Sequence, residues 1–80
     1  MRLDYDEDAD AIYVHLRDVP YAFGEDLDPE RRIDYAADGK PLGIELLNVS
    51  SGVNLDRLPD VEAVSRLLTQ HGVKILAPQP

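Results

Sequence analysis

The residues best able to do chemistry lie near the N-terminus: an acidic run, Asp4-x-Asp6-x-Asp8, followed by Tyr13 and His15. Carboxylates at alternate positions open a calcium loop, but such a loop needs glycine at its sixth position and glutamate at its twelfth. Ala9 and His15 stand there instead. An imidazole beside a carboxylate can serve as a general base, so Asp4, Tyr13 and His15 are the candidate centre of a small enzyme or a metal-dependent binder. That centre lacks a nucleophile. The chain has no cysteine, and Ser50 and Ser51 are not set in a G-x-S-x-G turn. No catalytic residue, metal ligand or cofactor site is assigned on these grounds. His71 is explained by its expected place at the end of a helix, where a cation is favourable.

Composition narrows the classes further. Eighty residues make one small domain, near the size at which a single core barely suffices. The net charge is −8, and its placement is uneven. Residues 1–50 carry thirteen Asp and Glu against five Lys and Arg, whereas residues 51–80 carry three of each sign. An acidic half repels phosphate backbones, which disfavours direct nucleic-acid binding. It suits a basic protein partner. No apolar run approaches the roughly 20 residues of a membrane span, and the start M-R-L-D-Y-D-E-D is too acidic for a signal peptide. A soluble, cytoplasmic protein is expected.

The elements that must position these groups can be read from alternation. Around Asp38-Gly39, a dipeptide that accepts positive φ, two alternating runs predict a hairpin. A two-residue turn there sets Ala36 against Pro41, Tyr35 against Leu42, Asp34 against Gly43 and Ile33 against Ile44. Ile33, Tyr35, Leu42 and Ile44 then share an apolar face, and Asp34 and Glu45 the opposite one. A second hairpin closes through Glu7 to Asp10, pairing Tyr5 with Ile12, Leu3 with Val14 and Met1 with Leu16. Its polar face collects Arg2 with His15 and Asp4 with Tyr13. A weaker strand is expected from Tyr21 to Leu27, with Tyr21, Phe23 and Leu27 on one side and Gly24 at a bulge or close approach.

Beyond Leu47 the polar run Asn48 to Asn54 ends the sheet. A helix is expected over residues 58–72, with Pro59 at its first position and Gly72 at its stop. Its apolar stripe is Val61, Val64, Leu67 and Leu68. Val73 to Leu76 suggests a short terminal strand, and Ala77 to Pro80 a frayed end. The fold class that follows is α+β: an antiparallel sheet of about five strands, built from two hairpins and a middle strand, with one C-terminal helix on its apolar face.

Tyr5-Asp6, then Asp10-Ala11-Ile12-Tyr13-Val14, Ile33-Asp34-Tyr35, Asp38-Gly39 and Gly43-Ile44-Glu45-Leu46-Leu47 follow one another in an order and spacing that resemble the small bacterial family called domain of unknown function 2283. The resemblance covers residues 1–50; the part beyond Ser50 resembles an extension found in only some members. It implies a compact sheet domain with a helix. It also implies that some relatives are encoded beside small ribonuclease-like toxins and are candidate antitoxins, and it brings no catalytic residues.

Together these readings favour a non-catalytic interaction module over the enzyme or metal-dependent binder. Its partner-binding face comprises Asp4, Tyr13, His15, Asp34 and Glu45, and its partner is a basic, toxin-like protein. A homodimer is expected as well, formed through a sheet edge or through Val73 to Leu76, because so small a core gains from burying more apolar surface.

Overall fold

A computed structural model describes residues 1–77; of the frayed end expected at Ala77 to Pro80, all but Ala77 lies outside the described residues. Five strands form one antiparallel sheet: β1 (Arg2–Asp6), β2 (Ala11–His15), β3 (Phe23–Asp28), β4 (Arg31–Tyr35) and β5 (Pro41–Leu47). Their spatial order is β1-β2-β5-β4-β3. The central place of β5 follows from its composition, since Leu42, Gly43, Ile44 and Leu46 are all buried. A strand that apolar is stable only with a neighbour on each side and a cover on one face. A single 3-10 turn (Val49–Ser51) and one helix, α1 (Val61–Gln70), follow among the described residues.

The β1–β2 hairpin has the expected register, with Arg2 opposite His15, Leu3 opposite Val14, Asp4 opposite Tyr13 and Tyr5 opposite Ile12. In the β4–β5 hairpin Ile33 faces Ile44 and Asp34 faces Gly43, again as expected. The turn end differs. Of its residues only Gly39 takes a positive φ, 79°. The Gly39 amide donates to the Ala36 carbonyl (2.9 Å) and the Ala36 amide to the Lys40 carbonyl (3.0 Å), so the loop holds three residues rather than two. This sets Tyr35 against Pro41 instead of Leu42, and a bulge at Leu42 absorbs the extra residue. The two departures cancel, and the pairs beyond them keep the register that alternation demands.

On β3 the expected grouping also changes. Tyr21 lies before the strand, and its hydroxyl accepts a bond from Arg32 on the polar face (3.2 Å). Phe23 instead stacks on Tyr35, with ring centroids 5.0 Å apart. Leu27 falls at a bulge between Asp26 and Asp28.

The core lies between the sheet and α1. Ile12, Val14, Ile44 and Leu46 pack with Val49, Val53, Leu58, Val64 and Leu68. Val64 and Leu68 are fully buried, each contributing on the order of 1.5–3 kcal/mol of apolar burial. Val61, expected in the same stripe, is 40% exposed because it sits in the first turn, past the edge of this cluster. The helix also starts later than expected. Asp60 adopts a left-handed φ of 50°, which turns the chain sharply between buried Leu58 and the first helical bond, Val64 N–H to Asp60 O (2.9 Å). Pro59 therefore precedes the helix. The other end is as read: Gly72 has φ 74°, and bonds from Val73 N–H to Leu68 O and from Gly72 N–H to Thr69 O close a Schellman motif. His71 Nδ1 donates to the Leu67 carbonyl at 2.9 Å. The segment expected as a terminal strand makes a single parallel bridge, Ile75 to Val53.

Arg31 is the one buried charged side chain among the described residues, 5% exposed. It projects on the core side opposite Leu46. Its Nε donates to Asp28 (2.9 Å), and its Nη1 to the carbonyls of Asn54 (3.0 Å) and Asp56. A guanidinium can be buried here because its fork meets acceptors on both sides. Asp28 and Arg31 thus tie the sheet to the loop that leads into α1.

Candidate interaction face

The sheet face opposite α1 is organised in two rows that cross all five strands. One row reads Asp4, Tyr13, Glu45, Arg32 and Asp26; the next reads Arg2, His15, Gly43, Asp34 and Gly24. All five residues expected to form the partner face, Asp4, Tyr13, His15, Asp34 and Glu45, therefore share this surface. Alternation within each strand puts them there, and the strand order sets their distances.

The two glycines decide how the face is built. A Cβ on Gly43 would meet the Tyr13 hydroxyl, and a Cβ on Gly24 would meet the Arg32 guanidinium. Both long side chains lie flat across the gaps that the glycines leave. Tyr13 Oη donates to Asp34 Oδ2 at 2.7 Å, and Arg32 Nε donates to Asp34 Oδ1 at 3.3 Å. Arg32 continues to Asp26 (3.0 Å) and to the Tyr21 hydroxyl. Partial burial first, and then the Asp34 carboxylate, raise the Tyr13 pKa above the ordinary phenol range. The bonds that Arg32 donates to Tyr21 and Asp26 hold the guanidinium in its charged form, raising its pKa against the smaller effect of burial.

At the β1 side His15 Nε2 donates to Asp4 Oδ2 at 2.6 Å, and the imidazole edge rests on the Tyr13 ring, centroids 4.8 Å apart. His15 thus bonds diagonally to Asp4 and not to Arg2, the residue directly across. Glu45 lies between Tyr13 and Arg32, is exposed, and has no ion-pair partner among the described residues.

His15 and Asp4 have the geometry of a base with its orienting carboxylate. No serine faces them. Ser50 Oγ donates to Asp10 (2.6 Å) and Ser51 Oγ to Asn48 (3.1 Å), which holds both hydroxyls in the 3-10 turn. Two shallow depressions divide the trio. One, of about 250 Å³, is lined by His15 with Arg2, Leu16, Arg17 and Asp18; another, of about 210 Å³, by Asp4, Asp6, Tyr13 and Glu45 among others. Among the described residues no three His, Asp or Glu side chains converge as a metal site.

The contributions of Arg32, Tyr21 and Asp26 to the face were not read from the sequence. Arg32 had a visible signal, because it alternates with Ile33 in the same strand that places Asp34 outward. Tyr21 had none, since it reaches the face from outside a strand. Among the described residues no helix is long and apolar enough to cross a membrane.

A family model described as Protein of unknown function (DUF2283) matches residues 2–50, the segment that contains the whole sheet. No curated protein and no solved structure matches the chain.

Proposed function

The chain belongs to the DUF2283 family, and we propose that it is a non-catalytic interaction module whose uncovered sheet face engages a basic protein. The observation that carries this reading is the charge of that face. Asp4, Asp6, Asp26, Asp34 and Glu45 outnumber Arg2 and Arg32, and Glu45 stands exposed at its centre. Tyr13 and Arg32, laid flat on glycines, make a firm platform with little conformational entropy left to lose on binding. A small toxin-like protein rich in Lys and Arg matches this surface, and an antitoxin-like role follows from such a pairing. The chain also associates with a second copy of itself through a sheet edge, which leaves the acidic face open.

Co-purification with the product of the adjacent gene across a salt series tests the reading. Exposed charges are screened beyond about 8 Å at physiological ionic strength, so retention should fall as salt rises. It should fall further in Asp34→Asn plus Glu45→Gln. A complex indifferent to both salt and the double substitution would defeat the proposal.

A second reading is favoured by one contact, the 2.6 Å bond between His15 and Asp4. It makes the chain a small enzyme or a metal-dependent binder centred on Asp4, Tyr13 and His15. Titrating the full chain with divalent metals, followed by the His15 ring resonances, separates the two: metal-dependent shifts of that ring lost in Asp4→Ala would favour the second.

A further inference from the structure

The sheet has two edges, and they are not equivalent. The β3 edge is interrupted by the Asp26–Asp28 bulge and by Gly24, devices that discourage strand addition. The β1 edge has no bulge, keeps its register with β2 over all five residues, and is exposed except at Leu3. Tyr5 on this strand (43%) and Met1 just before it (55%) are large, exposed apolar side chains. An exposed, unbulged edge strand of this kind presents alternate amide and carbonyl groups to solvent and accepts a further strand.

We infer that the occupant of this edge is β1 of a second copy, paired antiparallel about a two-fold axis at Leu3. This deepens the self-association part of the proposed function and rests on it. The charges select both partner and register. A two-fold axis must pass through a residue if polar face is to continue polar face, because a half-residue offset would turn one sheet over. Centring on Asp4 would set two like carboxylates directly opposite, which is destabilising. Centring on Leu3 sets Arg2 of each copy opposite Asp4 of the other, Leu3 opposite Leu3, and Met1 opposite Tyr5. Two opposite-charge pairs then form on the polar face, and the exposed apolar side chains meet on the other. The result is one continuous ten-stranded sheet, in which the acidic faces lie side by side and do not confront each other despite −8 on each chain.

Light scattering of the full chain over a concentration series tests this, with circular dichroism to confirm folding of each variant. The wild type should reach the mass of two chains. Arg2→Glu, which opposes two carboxylates across the axis, should halve that mass, and the double exchange Arg2→Asp plus Asp4→Arg should restore it. The chain has no cysteine, so a single Leu3→Cys should give a disulfide dimer on mild oxidation. A monomeric wild type would overturn the self-association and this assignment together, while leaving the acidic-face reading to its own salt test. A wild-type dimer unaffected by Arg2→Glu would overturn the β1 assignment alone. Cross-linking through Asp4→Cys but not Leu3→Cys would overturn the register.

Discussion

The Tyr13 hydroxyl occupies the space that a side chain at Gly43 would fill, and from there it donates a 2.7 Å hydrogen bond to Asp34, two strands away from its own. A residue chosen for its absence of atoms thereby lets one side chain span β5 and link β2 to β4. The consequence is measurable. Gly43→Ala should cost about 1–3 kcal/mol in urea denaturation, the usual range for overpacking. Combined with Tyr13→Ala, its cost should largely vanish, because the clash has been removed. Strict additivity in the double-mutant cycle would show that the two residues do not share that space.

The same contact predicts a pH effect on Tyr13. Its folded-state pKa is raised by burial and by Asp34, so the neutral phenol is favoured on folding. The stabilisation is fully present below the unfolded value of about 10 and is lost as pH rises through the folded one. In an ultraviolet titration, the absorbance removed by Tyr13→Phe should belong to the most alkaline part of the curve. If Tyr13→Phe removes absorbance at ordinary phenol pH, the bond to Asp34 is not maintained in solution.

At the turn of the β4–β5 hairpin, Arg17 makes a bidentate pair with Asp38 (3.2 and 2.9 Å). That pair, reinforced by the Lys40 amide, lowers the Asp38 pKa to about 2. A depressed carboxylate contributes stability that is present above its unfolded pKa of about 3.9 and lost as pH falls towards the folded value. Carbon-detected NMR titration should find Asp38 titrating near 2 in the wild type and higher in Arg17→Ala. An Asp38 pKa that Arg17→Ala leaves unchanged would mean that the pair is not formed in solution.

Removing Arg31 should loosen the tie between the sheet and the loop before α1. Arg31→Ala leaves the carbonyls of Asn54 and Asp56 without their donor and Asp28 without its cation. Losing partly buried hydrogen bonds to a charged group typically costs about 1.5–3 kcal/mol. Ile44→Ala, at a position with no exposed surface, should cost about 2–5 kcal/mol through the cavity it leaves. Equilibrium denaturation of both variants checks this. A loss below about 1 kcal/mol for Arg31→Ala would place that side chain in water, where surface ion pairs contribute little.

Much of this architecture is local and therefore visible in the chain itself. Alternation along Leu3 to Tyr5 and Ala11 to His15 is enough to set their pairing, because a slip by one residue would turn Leu3 and Val14 into water. The same logic puts Asp34 and Glu45 on the polar face and Ile33 and Ile44 in the core. Gly72 marks the helix stop because only a left-handed residue lets Val73 fold back onto Leu68. What alternation cannot convey is which strands become neighbours. Only the tertiary structure brings β5 between β2 and β4, and with it Tyr13 to Asp34 across Gly43. It also decides that Arg31 is buried. Its partners Asn54 and Asp56 lie more than twenty residues away, on the loop that leads into α1. The bulge at Leu42 is of the same kind. Its cause is a turn one residue longer than Asp38-Gly39 suggests, corrected because the buried pair Ile33–Ile44 does not tolerate the slipped register.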